Sequence, residues 1–102
     1  MSTIVLPKET TQALRELTGE VQPDAALTLA LRDAFAYRLE QIQEQLHAFE
    51  EKYGMPFADY KTRWESGDQE EDYSWEAERD YLEWEALITR KRRLENTYHQ
   101  FA

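Results

Sequence analysis

Apolar positions along this chain fall into two long helical stripes separated by about twenty residues. The first runs Leu27, Leu31, Phe35, Leu39, Ile42, Leu46, Phe49 and Tyr53, at steps of four and three, which is heptad spacing. Pro23 suits the first turn of such a helix, Asp24 favours the positive end of its dipole, and Gly54 stops it. Ala26, Leu29, Ala30, Ala34, Ala36 and Tyr37 lie outside the stripe. The first half of the helix is therefore expected to be covered on more than one side, and the second half on one only.

The second stripe comprises Tyr73, Ala77, Tyr81, Trp84, Leu87, Ile88, Leu94, Tyr98 and Phe101, with Lys91 at its one polar position. It predicts a helix capped by Asp72 or Ser74 and reaching nearly to the C-terminus. Between the stripes, Pro56 starts a short helix with Phe57, Tyr60 and Trp64 on one face, and Ser66-Gly67-Asp68 breaks it. Ahead of them, Thr3-Ile4-Val5-Leu6-Pro7 reads as a β-type run too short to be stable unless something pairs with it. Glu9 to Thr18 reads as a short helix with Ala13, Leu14 and Leu17 on one side and Gly19 just past its end.

The fold class expected is mainly α. An antiparallel helical hairpin over 23–102 follows a short N-terminal strand and helix over 1–22, a candidate dimerisation element. Two hairpins are expected to pair into a bundle, so the partners anticipated include a second copy of the chain.

Composition adds exclusions. The chain has 102 residues, and 41% hydrophobic with 13% aromatic content argues for a folded domain rather than a disordered one. No apolar run approaches the ~20 residues of a membrane span. The start, MSTIVLPKET, shows no secretory signal, so a cytoplasmic protein is the expectation. Without cysteine there is no disulfide, thiolate metal site or cysteine nucleophile. Glu44 and His47 have the Glu-x-x-His spacing of di-iron bundles, but the motif occurs once and Glu44 points away from the stripe of Ile42 and Leu46. His99 follows Glu95 by four, a surface pairing. There is no glycine-rich phosphate loop, and Ser2, Ser66 and Ser74 lack a base and an acid around them. Neither enzyme activity nor a cofactor is expected.

Charge changes the picture more than composition does. The net charge is −9. Residues 1–39 carry −1, residues 40–85 carry −11, and residues 86–102 carry +3 through Arg90-Lys91-Arg92-Arg93. The acidic middle is a poor nucleic-acid surface and suits a basic partner protein. The basic cluster has a local account, with Lys91–Glu95 and Arg92–Glu95 as side-chain pairs on one helix.

The acidic maximum coincides with an aromatic one. Residues 70–86, EEDYSWEAERDYLEWEA, hold eight Asp or Glu among seventeen, together with Tyr73, Trp75, Tyr81 and Trp84. At helical spacing Tyr73, Tyr81 and Trp84 share a side with Ile88 and read as core. Trp75 and Leu82 project about 160–180° from Trp84, with Arg79 four residues after Trp75 and able to cover its ring. Two readings stand: local packing against residues 55–66, or an apolar anchor ringed by Glu71, Glu78 and Glu85 for a partner. Glu76–Asp80 and Asp80–Glu83 are like-charge neighbours at four and three, which helix stability does not call for. A basic partner would relieve them, and simple solvation is the other account.

Several of these residues carry a resemblance. Tyr53-Gly54-Met55, Phe57, Tyr60, Arg63-Trp64-Glu65, the acidic linker and Asp80-Tyr81-Leu82-Glu83-Trp84-Glu85-Ala86, within residues 47–95, resemble small prokaryotic antitoxins of toxin–antitoxin pairs. The resemblance implies a protein that binds and silences a small toxin, commonly a ribonuclease. Its contacts would be Trp75, Glu76, Glu78, Leu82, Glu83 and Glu85, with Trp64 beside them. The order strand, short helix, longer helix at the N-terminus is similar to a ribbon-helix-helix DNA-binding dimer. Thr3 to Leu6 offers only one polar side chain and Lys8 stands alone beyond it, a departure from the basic or amide strand that reads DNA. DNA binding is thus an alternative, below the basic partner protein, and a structural homo-oligomer is another.

Overall fold

The computed structural model describes residues 5–67 and 74–101. Four helices follow one another: α1 (Lys8–Thr18), α2 (Pro23–Tyr53), α3 (Phe57–Ser66) and α4 (Trp75–Tyr98). The chain is mainly helical, as the two stripes require. Val5, Leu6 and Pro7 belong to no strand, and the rest of the expected N-terminal strand, Thr3 and Ile4, lies outside the described residues. The backbone pairing that a strand needs is absent for Val5, which stands 89% exposed.

Helix boundaries follow local chemistry. Pro23 occupies the first turn of α2, where its missing N–H costs nothing. Gly54 ends α2 in the left-handed conformation at φ 70°, its N–H donating to the Glu50 carbonyl at 2.7 Å. Two residues later Pro56 sets the entry to α3. Ser74 caps α4, its hydroxyl accepting the Ala77 N–H at 3.1 Å. Asp72, the other candidate cap, and Tyr73 lie outside the described residues.

α2 and α4 pack antiparallel. At one end Phe35 stacks on Tyr98 and Phe101, with ring centroids 6.0 and 5.9 Å apart, and the Arg32 guanidinium donates to the Phe101 carbonyl. At the other end Lys52 and Tyr53 of α2 reach Asp80 of α4. The core sits near this second end, around Ile42, Leu46, Tyr60 and Trp84. Trp84 is fully buried beneath rings of α2 and α3: Phe49 at 5.4 Å, Phe57 at 5.3 Å and Tyr60 at 5.3 Å. Removing that ring from water contributes on the order of 5 kcal/mol before conformational entropy is charged. About 1–3 kcal/mol of this is offset because its indole Nε1 is buried without a hydrogen-bond partner among the described residues. Trp84 thereby fastens α2, α3 and α4 together.

α1 covers the start of α2, where Ala26 is fully buried and Leu29 and Ala30 are half-buried. The expected double covering stops there: Ala34, Ala36 and Tyr37 face solvent because α1 has already ended. Of the α1 apolar side, Leu14 alone is buried, with Ala13 exposed and Leu17 75% exposed. One short helix laid on one long helix has contact width for a single row of side chains. The molecule is long, 58 × 24 × 19 Å, with a radius of gyration of 19.6 Å against about 13 Å for a compact domain of this length.

Candidate functional site

α4 presents three longitudinal faces, set by what flanks it. The face bearing Trp84 is core. One flank adjoins α2, where Asp80 meets Lys52 and Tyr53. The other adjoins α3, where Tyr81 stacks on Trp64 with centroids 4.8 Å apart.

On the outer edge of the α3 flank lie Trp75 and Leu82, 71% and 58% exposed. Neither packs into the core, although Leu82 borders Phe57 and Lys61 of α3. Together with Glu78 and Arg79, Trp75 and Leu82 line a shallow depression of about 300 Å³. The Arg79 guanidinium lies 4.9 Å from the Trp75 ring centroid, covering one face of the indole as its spacing suggested. Leu82 also lines a longer groove of about 580 Å³ that continues down α4 beside α3. Its apolar part is Phe57, Ile88 and Leu94, and its rim carries Glu85, Lys61, Arg90 and Arg93. The surface therefore runs from acidic and aromatic at the N-terminal end of α4 to basic at the C-terminal end. Lys91–Glu95 and Arg92–Glu95, expected as side-chain pairs, are not formed among the described residues, where Lys52 pairs with Glu76 and Asp80 and His47 Nε2 contacts Glu51.

The seven residues expected as contacts are thus divided. Trp75, Glu78 and Leu82 lie together, with Glu85 next along the same groove. Glu83 lies on the opposite, α2-facing flank with Leu87 and Phe49. Glu76 is held by Lys52 at 2.7 Å. Trp64 is half-buried against Tyr81 and the Trp84 cluster, a packing residue first. Glu71, expected in the ring around Trp75, lies outside the described residues.

Asp80 overturns one argument. Relief from its like-charge neighbours, Glu76 and Glu83, comes from inside the chain rather than from a basic partner. Asp80 is buried, at 4% exposure, and accepts hydrogen bonds from Lys52 Nζ at 2.6 Å and from the Tyr53 hydroxyl at 2.5 Å. Burial pushes its carboxyl up, but those two hydrogen bonds and the charges of Lys52 and Arg79 outweigh burial and hold it below the usual value. Asp80 raises the Lys52 ammonium most, and Glu76 adds to it. The sequence signal for this cluster was a Lys-Tyr pair closing α2 opposite an Asp opening α4. It becomes legible only once the hairpin register is known.

Glu44 and His47 are both exposed, and His47 Nε2 lies 3.0 Å from Glu51 rather than from Glu44. Among the described residues no group of three His, Cys, Asp or Glu could hold a metal ion, and no helix is long and apolar enough to cross a membrane.

A helical hairpin with α1 and α3 laid across it, carrying an exposed Trp–Leu edge rimmed by charge, defines a small all-α protein whose distinctive chemistry is on its surface. Residues 3–101 match the model of the family described as the uncharacterized protein MJ0235 family, and the chain belongs to that family. No curated protein and no solved structure matches it.

Proposed function

We propose that this chain is a non-enzymatic protein-interaction module that docks a partner along the outer α3 flank of α4. The observation carrying this reading is the pairing of Trp75 and Leu82, two large apolar side chains exposed side by side with no share in the core. Leaving them in water forgoes a few kcal/mol that a partner would recover. Glu78 and Glu85 beside them suit basic groups on the partner, and Lys61, Arg90 and Arg93 farther along the groove suit acidic ones. The resemblance to antitoxins gives the kind of partner: a small basic toxin, with carboxylates standing where RNA phosphates would sit. In such a complex charge sets mainly the association rate, and Trp75 and Leu82 the residence time. The long, thin shape favours association of hairpins into a bundle as part of the same reading.

The test is co-expression with the product of the adjacent gene. The wild-type chain should co-purify with it, and Trp75→Ala with Leu82→Ala should keep its helix content while binding at least about tenfold more weakly. Unchanged affinity in the double variant would remove this reading.

A further inference from the structure

The α2-facing flank of α4 carries a second surface. Here a groove follows the seam between α2 and α4, floored by Ile42, Phe49 and Leu87 and bordered by the small, exposed side chains of Ala48 and Ala86. Its charges are placed at its ends along α4: Glu83 at one, Arg90 at the other, with Arg38 of α2 beside Arg90. Glu83 and Arg90 are seven residues apart, two helical turns, so they project from nearly the same side of α4. Neither makes an ion pair among the described residues.

We infer that this groove is the face on which a second copy of the chain docks, antiparallel, with the twofold axis passing between Ala86 and Leu87. The inference deepens the bundle part of the proposed function and rests on it. A twofold axis makes residue i meet j and j meet i, so the surface must complement itself. This one does. Reversing α4 about a point between residues 86 and 87 carries Arg90 of the second copy to the level of Glu83, and the reverse pair forms by symmetry. No other placement along α4 pairs both charges at once. The alanines at the centre let the two helices approach closely, so that the ridge through Ala86 on each copy enters the groove of the other.

The area available to the whole chain is sufficient. The chain exposes 7683 Å², whereas a compact monomer of 12.2 kDa exposes roughly 6,100 Å². The excess is more than the ~800 Å² per partner that a standard interface removes. Ala86 and Arg90 border both grooves, so pairing here takes in one edge of the α3-side groove. The depression of Trp75, Glu78, Arg79 and Leu82 shares no residue with the seam and would be presented twice by a dimer.

Sedimentation equilibrium on the isolated protein tests the inference without any toxin. Wild type should show twice the 12.2 kDa chain mass. Arg90→Glu should weaken the dimer at least about tenfold, by setting like charges opposite each other. Glu83→Arg combined with Arg90→Glu should restore it. Ala86→Arg, at an exposed position, should block close approach with the helix content kept. Trp75→Ala with Leu82→Ala should stay dimeric, so loss of the toxin-binding reading and loss of this one are told apart. A monomeric wild type, or a dimer indifferent to Arg90→Glu and Ala86→Arg, would overturn it.

Discussion

The Tyr53 hydroxyl, at the last residue of α2, donates to the Asp80 carboxylate of α4 at 2.5 Å, on the same oxygen that Lys52 approaches at 2.6 Å. One buried carboxylate thus pins the closed end of the hairpin. Asp80→Ala leaves both donors without that acceptor, and Lys52 can turn to water because its side chain is 44% exposed. The expected loss is about 2 kcal/mol, and Tyr53→Phe should cost about 1 kcal/mol. Because the two share one bond, the double variant should lose less than the sum. Urea melts of the four proteins check this, and strict additivity would show that the bond contributes nothing.

The same cluster gives stability a defined pH window. Asp80 titrates below its ordinary value in the folded chain, so its contribution is complete above the unfolded value of about 3.9 and is lost as pH falls through the lower folded value. Lys52 is raised, so its contribution is complete below about 10.4 and is lost as pH rises through the higher folded value. Tyr53 is raised as well, by burial first and Asp80 second, and acts with the same sign as Lys52. Urea midpoints should therefore be level between about pH 5 and 9. Asp80→Asn should remove part of the acid-side fall. An unchanged acid limb would assign that fall to other carboxylates.

The tryptophans should separate spectroscopically. Trp84 is fully buried among rings and Trp75 is 71% exposed under Arg79. Trp75→Phe should remove the red-shifted, readily quenched part of the fluorescence with stability changed by less than about 0.5 kcal/mol. Trp84→Ala, by contrast, should cost about 3–5 kcal/mol and leave the α3 contact unmade. Acrylamide quenching and thermal melts read the two outcomes.

At Gly54 the backbone adopts φ 70°, and nothing lies within 4 Å of where a Cβ would stand. The penalty for a side chain there is purely conformational. Gly54→Ala should destabilise by about 1–2 kcal/mol, and Gly54→Asn by less, since Asn tolerates the left-handed region. Equal losses for the two variants would place the cost in sterics instead.

Much of the architecture was written in the order of residues. Steps of three and four put Ile42, Leu46 and Trp84 inside, Pro23 and Gly54 bound α2, and Ser74 caps α4, because these are effects within a turn or two of chain. That Trp75 and Leu82 project away from Trp84 was legible for the same reason, but whether residues 55–66 cover them was not, and the structure leaves them 71% and 58% exposed. What the stripes could not supply was which side of α4 each neighbour covers. That depends on α2 and α3 being laid against it, a relation between residues far apart in sequence. Only this placement sent Glu83 to one flank and Glu78 to the other, and turned Trp64 inward onto Tyr81. It also brought Lys52 to Asp80, making an apparent excess of carboxylate a bond that closes the hairpin.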